Sequence, residues 1–187
     1  MKKNESNKFC KYVLIFLISC FIGWFWEVIW EFLKNGNLIN SGMLHGPWLP
    51  IYGTGSLLIY ILLNEYKDKK WLIFIGSFVI CTISEYCTSL YLEYTYGMSW
   101  WNYTDKPFNI NGRICLPYSL AFGLSGLIVI YKIVPGVQKL IDKANKKVLT
   151  IICIIILSIF AVDFIYSTLY NPNISGKIKI IDMDKSK

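Results

Sequence analysis

With a single histidine, His45, the chain lacks the material for a usual zinc site. None of its six cysteines (Cys10, Cys20, Cys81, Cys87, Cys115 and Cys153) stands in a C-x-x-C pair. Most have apolar neighbours and read as small, polarizable packing groups. No G-x-x-x-x-G-K-[ST] pattern occurs, so any ATP hydrolysis belongs to another chain, and Gly53-Thr54-Gly55 alone is too slight for a nucleotide loop. H-E-x-x-H and G-x-S-x-G are missing too, which leaves no recognisable catalytic constellation and implies no metal and no cofactor.

Apolar residues are abundant instead. Of 187 residues 55% are hydrophobic and 17% aromatic, and mean hydropathy is +0.44. These values are high for a soluble domain and ordinary for a multi-pass membrane protein. The net charge of +7 would suit a nucleic-acid partner if it gathered on one face. Here the lysines stand at the ends of apolar runs, where membrane topology accounts for them, and nucleic-acid binding is disfavoured.

The runs cover residues 12–33, 47–63, 71–94, 114–134 and 148–170, followed by a polar tail, 171–187. Most have the length of one span; the second is short and carries Pro47 and Pro50, which fit a first helical turn or a partly unwound, re-entrant start. Leu17-Ile18-Ser19-Cys20 resembles a lipoprotein cleavage box. The FIGWFWEVIW that follows is membrane-like, so the sequence favours a retained first span. The expected fold is all-α: one integral membrane domain over 1–187, a bundle of about five transmembrane helices with two structured outer loops.

With the N-terminus inside, the three inner segments hold four, three and five basic residues, and the outer ones one, two and four. The bias predicts a multi-pass cell-membrane protein with a cytoplasmic N-terminus and an extracellular C-terminus. Loops 35–46 and 95–113 then face outward. The second is the most distinctive stretch of the chain. Its WWNYTDKPFNINGR, residues 100–113, is too rich in aromatics and amides for a plain linker and predicts a folded loop. Trp100, Trp101 and Tyr103 read most simply as interfacial anchors.

Three acids lie inside apolar runs: Glu27, Glu85 and Asp163. Counted from the start of each run, all fall at a similar depth in the outer third, roughly 21–22 Å in at 1.5 Å per residue. Intramembrane acids face a protein interior or a wet cavity. Ser19, Gly23, Glu27 and Glu31 recur every four residues, as do Ser77, Cys81, Glu85 and Ser89, so each set lies on one helix face. Ser119, Gly123 and Gly126 form a small-residue stripe for close helix approach. Arg113, entering at the outer end of the fourth run, is the natural counter-ion for Glu27, Glu31 or Glu85. Against this stands a purely structural network: a Glu–Arg pair that fixes helix register, a locally bonded Asp163, a solvated Glu93 and a His45 that serves its own loop.

Several ordered motifs resemble one family. They are Gly23-Trp24-Phe25-Trp26-Glu27-Val28-Ile29; the stretch from Asn40 to Gly53, NSGMLHGPWLPIYG; Glu85-Tyr86-Cys87-Thr88-Ser89; Trp101-Asn102-Tyr103; and Phe108-Asn109-Ile110-Asn111-Gly112-Arg113-Ile114-Cys115-Leu116. Together they resemble the CmpB-like family described as Putative ABC-transporter type IV, over residues 15–135. The family's more usual loop reads W-D-Y-S; here Asn102 and Thr104 replace the acid and the serine.

The resemblance implies a permease component of an ABC-type transporter, partnered by a separate ATPase subunit within the lipid bilayer. Its candidate substrate-binding residues are Glu27, Glu31, His45, Glu85, Asn109, Asn111 and Arg113, and it has no catalytic set. Two other functions compete. One is an outward-facing intramembrane enzyme acting on a lipid or lipid-linked substrate, with carboxylates as general acid or base and Arg113 on a phosphate. The other is a non-catalytic assembly or regulatory protein that docks partners through its aromatic loops.

Overall fold

The computed structural model describes residues 2–97, 99, 101–170 and 177–181, with side chains for 7–95, 97, 99 and 101–170. Trp100 and the tail residues 171–176 and 182–187 lie outside the described residues.

The described chain is helical through most of its apolar runs, residues 47–49 and 114–115 excepted. The helices are α1 (Lys2–Asn35), α2 (Pro50–Leu63), α3 (Lys70–Tyr96), α4 (Leu116–Ile128), α5 (Val134–Lys143) and α6 (Lys146–Tyr170). Helices α4 and α5 are joined by one π-helical stretch, Val129–Ile133, so the bundle has five rods. Four rods are long and apolar enough to cross a membrane: 7–35, 70–95, 116–143 and 146–170.

Helix α2 is different. Its 14 residues rise only about 21 Å, short of a hydrocarbon core of about 30 Å. It begins at Pro50; the segment before it is unwound. Backbone at that depth needs partners. The Leu49 N–H finds one on α1, donating to the Cys20 carbonyl at 3.1 Å.

The fourth run reaches past its expected end at residue 134. Pro135 has no N–H to give and its ring opposes the carbonyl four residues back, so a regular helix would break here. The π stretch absorbs the conflict: the Val134 N–H reaches back five residues to the Val129 carbonyl. The helix then continues as α5, with Val134, Val137 and Ile141 buried and Gln138, Lys139 and Lys143 on its other sides.

Loop 35–46 also holds more than a turn. Leu38–Ser41 forms strand β1, which pairs antiparallel with strand β2, Lys177–Ile181, in the tail. This pairing brings the C-terminal ends of α1 and α6 to the same end of the bundle. The turn into α2 and loop 97–115 lie at that end as well, since α2 returns from it and α3 climbs back to it.

Packing divides the bundle along its length. At the N-terminal half of α1, Ile15, Ile59, Ile73, Val137, Ile141 and Cys153 are almost fully buried in one apolar cluster. Toward the loop end polar groups join the buried ones: Glu31, Asn40, Ser41, Glu85, Ser89, Ser119 and Ser167 lie beside apolar Val28, Leu44, Leu49, Leu92 and Ile114. The small-residue stripes lie where expected, Ser19, Ser77, Ser119, Gly123 and Gly126 all being buried. Helices α3 and α4 make the most extensive helix pair. Gly126 packs on Ser77 and Gly123 on the Phe74 ring, so closely that no Cβ fits at either glycine.

Candidate functional site

Two carboxylates from distant parts of the chain, Glu27 and Glu85, are each held by a tyrosine toward the loop end. Glu27 comes from α1, one turn beyond Gly23, whose missing side chain lets the Tyr52 ring of α2 lie directly on the α1 backbone. Tyr52 Oη–H donates to Glu27 Oε1 at 2.7 Å. Glu85 comes from the stripe on α3 that faces inward, and its residue is only 5% exposed. Tyr103 Oη–H donates to Glu85 Oε1 at 3.1 Å, and the Tyr103 ring stacks on Tyr118 of α4 with centroids 4.8 Å apart. Burial, the Glu85 charge and its hydrogen bond, then Tyr118 and Glu27, all push the Tyr103 phenol upward, so it stays a donor.

Tyr103 is delivered by the loop that the sequence marked out. Its N–H donates to the Gly112 carbonyl at 2.8 Å, and the Ile110 N–H to the Ile114 carbonyl at 3.0 Å, closing a tight hairpin. Asn102 Oδ1 accepts from the Thr104 N–H at 2.9 Å, a turn an amide makes as well as an acid, so the uncharged residue at 102 serves here. Asn109 Nδ2 donates to the carbonyls of Thr104 and Lys106, both at 3.0 Å, while its Oδ1 accepts from Gly112 N–H at 3.2 Å. Gly112 has φ +66° and a Cβ there would press on Asn102 and Thr104, so position 112 calls for glycine. Asn111, at φ 52°, donates to Tyr86 Oη at 2.8 Å. Trp101 Nε1–H donates to the Arg113 carbonyl at 2.8 Å. The loop is folded, as expected. Trp101 and Tyr103 differ from the interfacial anchors expected of them: one staples the loop and the other reaches inward to Glu85.

Arg113 also departs from expectation. Its guanidinium pairs with Glu93 and donates to Ser89 Oγ at 3.1 Å, rather than neutralising Glu27, Glu31 or Glu85. The hairpin sets Arg113 over the last turns of α3, and Ser89 and Glu93 are one and two turns past Glu85 on the same face. Glu93, expected to be solvated, is thus the partner. Glu31 is buried and accepts from Asn35 Nδ2 at 2.6 Å. No lysine or arginine among the described residues pairs with Glu27 or Glu85.

Asp163 belongs to a second cluster. Its Oδ1 accepts from the His45 N–H at 3.2 Å and Ser167 Oγ–H at 3.1 Å; its Oδ2 accepts from the Gly46 N–H at 2.9 Å and Trp48 Nε1–H at 2.7 Å. It therefore pins the unwound entry to α2 onto α6. His45 Nδ1 contacts Ser167 Oγ at 2.9 Å and lies 3.4 Å from Asp163 Oδ1. Both partners meet the same ring nitrogen and Ser167 is fully buried, which is not the arrangement of a nucleophilic triad. Of the three acids expected at one depth, two are held by tyrosines and the third holds a loop.

Sequence reasoning passed over Tyr52 and Tyr118. Their signal is faint: each is a tyrosine in the first turn of a helix that starts at the loop end, Tyr52 two residues after Pro50 and Tyr118 one after Pro117.

The fold defines a polytopic α-helical membrane protein, with two tyrosine-bonded carboxylates below a folded loop. The chain belongs to the family described as Putative ABC-transporter type IV, whose model matches residues 14–168. The match runs beyond residue 135, where the sequence motifs thin out, through most of α6 and past Asp163 and Ser167. No curated protein and no solved structure matches the chain.

Proposed function

We propose that the protein is the permease component of an ABC-type transporter in the cell membrane and that its substrate passes through the Glu27–Glu85 pocket. One observation carries this reading. Two carboxylates, on α1 and α3, are held by tyrosines within a membrane bundle beneath a folded loop, with no cation among the described residues paired to either. Intramembrane acids of this kind mark substrate or ion paths. The division of the bundle supports it: the polar chamber lies toward the loop end, and the apolar cluster around Ile15 and Ile73 closes the other. In the orientation set by the lysine bias, with the N-terminus cytoplasmic, the chamber faces outward and the apolar cluster is its inner gate. Energy then comes from a separate ATP-hydrolysing subunit, since this chain has no phosphate-binding loop.

The test is uptake by cells overproducing the chain with its copurifying partners, using mixtures of radiolabelled amines, amino acids and sugars. Accumulation of one class above background is expected, falling to background in Glu27→Gln and in Glu85→Gln. Uptake that neither substitution changes sinks the site, and no uptake of any class sinks the permease reading.

A further inference from the structure

The environment of Glu27 and Glu85 narrows the chemistry of what the pocket holds. Glu85 is only 5% exposed, and while Tyr103 supplies a donor to Oε1, its buried Oε2 has no hydrogen-bond partner. A buried carboxylate oxygen without a donor is costly, and a second carboxylate at interaction range raises the cost. Among the described residues no ion pair supplies a compensating positive charge. On α1, Glu31 is another acid, and Lys34, two turns past Glu27, is exposed and makes no ion pair with it. On α2, Tyr52 is neutral. On α3, Cys81 lies one turn below Glu85 and Ser89 one turn above. From the loop and α4 come Tyr103 and Tyr118. The chain's arginine is committed to Glu93.

We propose that Glu27 and Glu85 form one monovalent-cation site, walled by Tyr52, Tyr103 and Tyr118, in which an ammonium-type cation and a proton compete for the same pair of carboxylates. An N–H-bearing cation supplies the donor that Glu85 Oε2 lacks and one positive charge for the pair. The tyrosine hydroxyls already fill Oε1 of each carboxylate, so the open acceptor is Glu85 Oε2, which a directional N–H donor suits. Glu27 is half-buried rather than sealed, which leaves a way in. When the cation is absent, a proton on Glu85 takes its place; when the cation enters, that proton leaves. This deepens the permease reading and rests on it for the claim that the ligand is also carried.

The experiment is calorimetric titration of the purified full-length protein in nanodiscs with methylammonium chloride, at pH values between 5.5 and 8.5. Affinity is expected to fall as pH falls, by up to about tenfold per pH unit where one proton is displaced. Repeating the titration in buffers of different ionisation enthalpy should show proton release on the wild-type protein, a readout that needs no variant. Glu85→Gln and Glu27→Gln, checked for folding by thermal unfolding, should each weaken binding by about tenfold or more through loss of a charged acceptor. Binding that is independent of pH, releases no proton or survives both substitutions overturns the site. Equal binding of potassium overturns the ammonium assignment. No flux is measured, so the two readings fail separately: a protein that binds methylammonium but moves no solute loses the permease reading alone, and one that moves other solutes without binding methylammonium loses the cation site alone.

Discussion

Asp163 is a single carboxylate that holds four donors, two on each oxygen: His45 N–H and Ser167 Oγ–H on Oδ1, Gly46 N–H and Trp48 Nε1–H on Oδ2. Only an ionised carboxylate offers acceptors on both sides. An amide would turn its NH2 toward two donors whichever way it flipped. Asp163→Asn should therefore destabilise nearly as much as Asp163→Ala, each by about 2–4 kcal/mol given the worth of hydrogen bonds to a charged group. Thermal unfolding in detergent measures this, with Trp48 fluorescence reporting whether the entry to α2 has come loose. Asparagine behaving like wild type would mean that the four contacts are not what holds the loop. The inward face of Glu85 was legible in the sequence, because spacing by fours sets it in line with Ser77, Cys81 and Ser89. Partners were not. Arg113 looked like a counter-ion for these acids because it enters at the outer end of the fourth run, but the hairpin's closure, a non-local feature, aims it at Glu93.

Among the elements, α3 and α4 show how glycine placement fixes a helix pair. A Cβ on Gly126 would fall on Ser77, while Gly136 of α5 has nothing within 4 Å of its added Cβ. Gly126→Ala should cost about 1–3 kcal/mol by overpacking. Gly136→Ala should be neutral or stabilise by a few tenths to about 1 kcal/mol, since alanine loses less freedom in a helix. Unfolding of the two variants side by side separates packing from propensity, and equal effects would contradict the close approach. The stripe Ser119, Gly123, Gly126 announced this contact, and apolar runs announced the rods. The extension of the fourth rod past Pro135 was hidden because proline normally ends a helix and the remedy is a local π stretch. The pairing of β1 with β2 was hidden because it joins segments from opposite ends of the chain.

At the scale of the whole molecule, five rods and the β1–β2 pairing set the C-terminal ends of α1 and α6 at one end of the bundle. Packing does not say which end faces the cytoplasm, and the proposed orientation rests on the lysines. The N-terminal stretch, the α2–α3 turn and the α5–α6 corner hold the larger share of basic residues, and such residues resist translocation. Single cysteines placed in a cysteine-free version decide the matter. A cysteine at Asp105, exposed in the loop between α3 and α4, should react with a membrane-impermeant maleimide in intact cells. Cysteines at Glu65, between α2 and α3, and at Asp142, near the end of α5, should react only after permeabilisation. The reverse pattern would turn the acidic chamber toward the cytoplasm. The apolar cluster around Ile15 and Ile73 would then be the outer gate, and the carboxylate pair would meet its ligand from inside, as an exporter does rather than an importer. The labelling thus fixes the direction in which the Glu27–Glu85 pocket opens before any substrate is known.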